Sequence, residues 1–369
     1  MSTLPPAPGK GPIFVMGSMG TGTTLLRLVL DSHDSIAIPP ETGFMRAYKA
    51  HRFIPFKWTG RNWAKRLGWS DDEFEAEMRV FYDKLFMRYV ETHGKKRWGE
   101  KTPLHIWHWE AMARMFPDAV FIAIVRHPGG SMASNMNRWR FGLARAASHF
   151  ERYTRELLRQ ASRFPERTVM IRYEELLLNP EPLMRELLDW LGEPWSDKVL
   201  EHHVVQSGRG GKEVVEGRNR VSDPLDIARI DKWKATINKT NRRAVGKKLG
   251  RLPQFLGYSM TDAAVLEPVN SEGRMLTSGF DIKQRFNQFG ELGLEVRGTV
   301  PWFEQLYHPR DFTLRPVETV ERQRDSGAKP SFARQVIRPW VRALPKEHRA
   351  RLARFQQSAA VRDRLKSLR

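Results

Sequence analysis

The chain has no cysteine, which excludes disulfides, thiolate metal sites and a cysteine nucleophile. It has no apolar run approaching the ~18 residues of a membrane span. Its first residues, Met1 to Gly11, are rich in proline and have no apolar core of the kind a secretory signal carries. These shortages set the expectation of a cytoplasmic protein, at most peripheral at a membrane. Acidic residues are also few: 42 Asp and Glu stand against 62 Lys and Arg, a formal net charge of +20. Such a chain favours anionic ligands or surfaces. What is present is enough for a core, because 40% of the 369 residues are hydrophobic, too many for a wholly disordered chain. The length suits one large or two unequal domains.

The basic excess is uneven. Residues 327–369 hold twelve Lys and Arg but only two acids, Glu347 and Asp363, and so carry half of the net charge. Two readings stay open for this segment: a solvated basic helix, or a contact with an anionic membrane surface or glycan. Leu352, Phe355, Ala359 and Val361 lie only roughly at helical spacing, so any helix there is modestly amphipathic. No recognisable nucleic-acid module accompanies it, and no specific nucleic acid is expected.

Strand-sized apolar runs alternate with helical patterns along most of the chain. Ile13 to Met16 suits a buried strand, and Thr23 to Ser32 places Leu25, Leu28 and Val29 on one helical face. Ala119 to Val125 is a continuous apolar run of the kind that helices cover on both sides. His127-Pro128-Gly129-Gly130 breaks it, with a small-residue helix expected from about Ser131. Thr168 to Arg172 reads as another strand, and Pro182 to Leu191 as a helix stopped by Gly192 and Pro194. The alternation predicts an α/β fold, a P-loop-like parallel sheet flanked by helices. It fades past about Met260, which places an α/β domain at 1–262 and a basic C-terminal extension of unknown role at 263–369.

Between the first strand and the first helix the chain reads GSMGTGTT, from Gly17 to Thr24. Glycines let successive amides curl around an anion, and the helix that follows adds the positive end of its dipole. The spacing of Gly17 and Gly22 is that of a Walker A loop, but Thr23 stands where the lysine that reaches the β/γ-phosphates should be. A single phosphate can still be held, whereas triphosphate hydrolysis is disfavoured.

GSMGTGTTLLRLVLDSH resembles the 5′-phosphosulfate loop of sulfotransferases that use 3′-phosphoadenosine 5′-phosphosulfate (PAPS). The resemblance continues in VRHPGGSMASNMNR, IRYEELLLNPEPLMRELLDWLG and IDKWK, and spans roughly Pro12 to Tyr258. The pattern is most similar to that of protein-tyrosine sulfotransferases and their bacterial relatives. It implies a sulfuryl transfer from PAPS to a hydroxyl acceptor (glycan, lipid or peptide tyrosine) with no metal. The family usually has Arg or Lys where this chain has Gly20, so the loop's donors are expected to be its amides with Thr21, Thr23 and Thr24, around Gly20 and Gly22. Restoring the cation by Gly20→Arg should tighten binding in a family-like loop, or weaken it where Gly20 needs φ > 0.

The same resemblance assigns the remaining residues. Arg126, at a strand end, and Ser134, eight residues on, match the 3′-phosphate pattern, a planar fork with a hydroxyl beside it. Arg138 sits where some members place a further arginine. Tyr173 and Lys232 match further cofactor contacts; a core-edge tyrosine and a solvated lysine remain equally open. Glu41, before a Thr, corresponds to the general base, and Lys101, in GEKTP, to the lysine that stabilises the leaving group. Ser222 resembles a serine contacting the same region. His105 and His108 have no third ligand nearby and read as packing groups, so no metal is expected. Phe44, Tyr48, Trp58, Trp63, Trp107 and Trp109 suit either a sugar- or tyrosine-stacking cleft or a core. Alternatives to a sulfotransferase are a small-molecule or nucleoside kinase of P-loop type and a non-catalytic nucleotide-binding protein.

Overall fold

The computed structural model describes residues 10–52, 63–208 and 223–260. The extension at 263–369, Ser222, Trp58 and the side chain of Trp63 lie outside the described residues. The three expected strands are β1 (Ile13–Met16), β4 (Val120–Val125) and β5 (Thr168–Arg172), joined by β2 (Ile36–Ala37) and β3 (Arg97–Glu100). All pair in parallel, in the order β2-β3-β1-β4-β5.

Helices cover both faces. They are α1 (Thr23–Asp31), α2 (Phe44–Arg52), α3 (Trp63–Arg66), α4 (Asp71–Thr92), α5 (Trp109–Met115), α6 (Pro128–Trp139) and α7 (Leu143–Arg163). The second half adds α8 (Tyr173–Leu178), α9 (Pro180–Leu191), α10 (His202–Gly208), α11 (Trp233–Thr236), α12 (Lys239–Leu249) and α13 (Leu252–Phe255). Strand alternation divides the core in two. Ile13, Val15, Val120, Ile122 and Ile124 pack with Leu26, Val29 and Leu30 of α1 and with apolar residues of α8 and α9. Phe14 and Phe121 point the other way, into an aromatic layer with Phe44, Trp98, Trp109 and Phe116. Among the described residues no helix is long and apolar enough to cross a membrane.

Two local expectations change. Leu25 of α1 is only half-buried, and Leu26 takes its place in the core. Helix α6 starts at Pro128, ahead of Ser131, because Pro suits a first helical turn and the His127 ring caps it, Nδ1 accepting from Gly129 N at 3.0 Å. The glycine pair serves close approach: a Cβ on Gly129 would lie 2.3 Å from the Trp233 ring, and one on Gly130 2.6 Å from Arg126 Nε. Between β1 and β4 the strand order changes direction, so the loops leaving their carboxyl ends diverge. In open α/β sheets ligands bind in that crevice.

Candidate functional site

The loop leaving β1 is shaped from within. Thr21 donates to the Ser18 carbonyl twice, from its amide at 3.2 Å and its hydroxyl at 2.7 Å. Thr21, expected to donate to a ligand, therefore uses both protons to close the turn. Thr23 is buried. Gly20 and Gly22 have φ of +84° and +101°, which L side chains rarely adopt. A Cβ on Gly20 would also lie 2.8 Å from the Ser131 carbonyl oxygen, and one on Gly22 2.3 Å from the Tyr173 ring. Gly20 thus holds the positive-φ backbone in which an added side chain strains the turn. Helix α6 anchors the loop, since Ser131 Oγ and Asn135 Nδ2 both donate to the Met19 carbonyl at 3.1 Å. Among the described residues no side chain caps α1, which leaves its first-turn amides for an anion.

Beside the loop a cleft of about 400 Å³ brings together Thr24, Arg126, Ser134, Arg138, Tyr173 and Lys232. The Arg126 guanidinium donates to the carbonyls of Gly20 (3.1 Å) and Arg229 (3.2 Å) and lies 4.0 Å from the centroid of the Tyr173 ring. Such a cation–π contact fixes its plane. Arg126 Nε and Ser18 Oγ are buried with no hydrogen-bond partner among the described residues. Lys232 is largely exposed and ion-paired with Asp226 at 3.0 Å, so its lining of the cleft and its solvation coexist.

Arg229 and Trp233, which sequence reasoning did not single out, also line this cleft. Trp233 stacks on His127, ring centroids 4.4 Å apart. Because His127 Nδ1 accepts, its Nε2 carries the proton and donates to Ser259 O at 2.8 Å, and burial pushes its pKa down to about 4. Behind it Glu174 accepts from His127 N (3.0 Å) and Tyr258 Oη (2.7 Å), its own pKa raised by burial. The motif letters of IDKWK and IRYEEL contain Trp233 and Glu174, but nothing in their spacing says that they converge on one histidine.

Glu41 and Lys101 meet through sheet register. Parallel pairing of β2 with β3 sets Ala37 against Trp98, so the segments leaving these two strands run side by side. Lys101 Nζ donates to Glu41 Oε1 and, at 3.2 Å, to Thr24 Oγ1. Lys101 is 1% exposed and Glu41 42%. Burial pushes the Lys101 pKa below the usual lysine range, opposed by the Glu41 charge. The two histidines that follow pack as expected. His105 Nδ1 lies 2.7 Å from Glu100 Oε2, and burial pushes the His108 pKa down to about 3. Phe44, Tyr48 and Trp109 are core residues, so they do not line a stacking cleft, while Trp107 stays half-buried against Tyr153.

Among known proteins, the chain is 27% identical over 237 residues to protein-tyrosine sulfotransferase 1 of Danio rerio, covering 61% of this chain and 66% of that protein. It is 26% identical over 236 residues to protein-tyrosine sulfotransferase 2 of Gallus gallus, covering 60% and 62%. The match thus spans just under two thirds of the length of these relatives. A solved sulfotransferase domain from the curacin biosynthetic pathway superimposes with a TM-score of 0.45 at 21% identity, over 67% of this chain and 98% of that domain. The Sulfotransferase family profile matches residues 12–197, half of the chain, and the chain belongs to the sulfotransferase family.

Proposed function

We propose that the protein transfers the sulfuryl group of PAPS to a hydroxyl-bearing acceptor. One observation carries the reading: Thr24 lines the phosphate cleft and also accepts from Lys101, so the nucleotide-sized cleft and the Glu41–Lys101 pair adjoin at a single hydroxyl. The cleft suits a nucleotide with two phosphate positions. The amides at the start of α1, with Thr24, would hold the 5′ end, and Arg126, Ser134 and Arg138 the 3′-phosphate. The donor set of that cleft, Thr24 and Ser134 with the guanidinium groups of Arg126 and Arg138, fits an anionic ligand. When bound, PAPS supplies the sulfuryl group and a phosphate oxygen as leaving group. Glu41, the more exposed partner of the pair, takes the proton from the acceptor hydroxyl. Lys101 neutralises charge at the leaving oxygen; a buried ammonium with a lowered pKa gives up its proton more readily than a free lysine. Thr23 in place of the Walker lysine argues against a kinase.

The names of the relatives support a peptide tyrosine as the first acceptor to test, ahead of glycan and lipid hydroxyls. The basic segment at 327–369 is assigned retention at an anionic surface and no part in the chemistry. The deciding experiment incubates the protein with sulfate-labelled PAPS and either tyrosine peptides or a cell extract. Label should enter an acceptor. Glu41→Ala should bind PAPS normally yet transfer it about 10²–10⁴-fold more slowly, the usual contribution of a positioned base. Equal binding of ATP and PAPS by the wild-type protein would count against the reading.

A further inference from the structure

A second carboxylate, fully buried, holds the turn that carries Glu41. Glu100, the last residue of β3, is 1% exposed. Its Oε1 accepts three hydrogen bonds: from Thr42 N (3.3 Å), Thr42 Oγ1 (3.0 Å) and Thr102 Oγ1 (2.6 Å). Its Oε2 faces His105 Nδ1, and the His105 ring stands edge-on to Phe44 at 5.1 Å. The two threonine hydroxyls pass the hold onward: Gly43 N donates to Thr102 Oγ1 and Phe44 N to Thr42 Oγ1, each at 3.3 Å. The amides of three consecutive residues after Glu41 thus end on Glu100 or on a hydroxyl that Glu100 fixes. Burial alone would raise the Glu100 pKa, but His105 and these donors hold it below the usual carboxylate range.

We infer that Glu100 is a positioning residue for the reaction: by clamping residues 42–44 to the end of β3, it sets the Glu41 carboxylate against Lys101, its own chain neighbour. The inference rests on the assignment of Glu41 as base. A half-exposed carboxylate on an unclamped turn would sample many rotamers, and a misplacement of about 1 Å costs on the order of 10²-fold in rate. Because the three threonine contacts converge on one oxygen, an amide can replace the carboxylate. In Glu100→Gln the side-chain oxygen takes those donors, while its NH₂ faces His105 Nδ1, which accepts in its other tautomer. Glu100→Ala releases all of them.

The test combines amide hydrogen exchange, turnover and nucleotide affinity. Glu100→Ala should speed exchange at residues 42–44 and lower kcat for sulfuryl transfer by roughly 10–100-fold. Affinity for adenosine 3′,5′-bisphosphate should stay within about 2-fold, since no residue of the clamp lines the cleft. Glu100→Gln should restore slow exchange and most of kcat. Should Glu100→Ala not fold, the pair Thr42→Val with Thr102→Val removes both hydroxyl donors to Glu100 and the two hydroxyl acceptors of Gly43 N and Phe44 N, and leaves Glu100 facing His105 and Thr42 N. Unchanged exchange at 42–44, or a Gln variant as slow in turnover as the Ala variant, overturns the inference. So does faster exchange throughout the sheet with lost nucleotide binding, which marks a core group only. Faster local exchange in a protein whose wild type transfers no sulfuryl group overturns the proposed activity and leaves the clamp standing.

Discussion

Lys101, almost fully buried, is ion-paired with Glu41, which keeps 42% of its side chain exposed. The pair is asymmetric: the ammonium has given up its water, whereas the carboxylate can still reach an incoming hydroxyl. Charge that develops on a leaving oxygen would meet a cation already desolvated, a condition under which electrostatic stabilisation is strong. Lys101→Ala should therefore slow single-turnover sulfuryl transfer by about 10²–10³-fold. Calorimetric affinity for adenosine 3′,5′-bisphosphate should change far less. Equal losses in affinity and turnover would make Lys101 a binding residue instead.

Arg126 offers a test of nucleotide class. Its guanidinium plane is set by two carbonyls and the Tyr173 ring, with Nε left over. Arg126→Ala should weaken adenosine 3′,5′-bisphosphate by ~2–5 kcal/mol, the scale of a truncated buried charge pair. Adenosine 5′-phosphate, which lacks the 3′ group, should bind almost as before. A uniform loss for both nucleotides would place the arginine at the 5′ end or in the scaffold.

Gly20 looks, by resemblance, like a missing cation, and the backbone gives another reason for it. With φ at +84° and Ser131 O 2.8 Å from a Cβ, any side chain there meets the carbonyl of the helix that anchors the loop. Gly20→Arg should therefore weaken nucleotide binding, and Gly20→Ala should already cost about 1–2 kcal/mol of stability from the left-handed backbone alone. Urea denaturation of the alanine variant and calorimetry of the arginine variant check the two parts. Tighter binding by the arginine variant would mean that the loop relaxes more readily than its packing allows.

The sheet was legible where strands are buried on both faces and so are written as apolar runs: β1, β4 and β5. Strand β3, RWGE, was not, because its polar residues are satisfied by distant groups. Arg97 donates to the carbonyls of Gly11 and Leu191, and Glu100 collects the threonines. Motif order was enough to nominate Arg126, Ser134 and Lys101 but carries no account of how they are held. Glu100 stood in the sequence only as a neighbour of Lys101. Its role depends on the register of β2 against β3, a relation between segments 61 residues apart that no local pattern encodes. The Thr21 hydroxyl shows the reverse error: a donor at the right place in the loop, already used by Ser18.

Among the described residues, four histidines with lowered pKa values contribute to the response to acid. Burial pushes the pKa of His108 and His149 down to about 3, and that of His127 and His202 to about 4. The unfolded chain protonates each near pH 6.5, so below that pH it binds more protons than the native state. Stability should therefore be lost as pH falls from about 6.5 toward 4, with a slope of up to ~1.4 kcal/mol per pH unit for each histidine. The histidines differ in what replacing them does. Both His127 nitrogens are hydrogen-bonded, so His127→Phe should destabilise at any pH. Neither His149 nitrogen has a partner among the described residues, and its ring stacks on Tyr153 at 4.1 Å. A phenyl ring keeps that stack and removes two buried polar atoms, each of which costs about 1–3 kcal/mol when unsatisfied. His149→Phe should thus raise the urea midpoint at pH 7 and flatten the slope between pH 6.5 and 4 by about one proton. An unchanged slope would mean that His149 is hydrated in the native state and titrates there as it does in the unfolded chain.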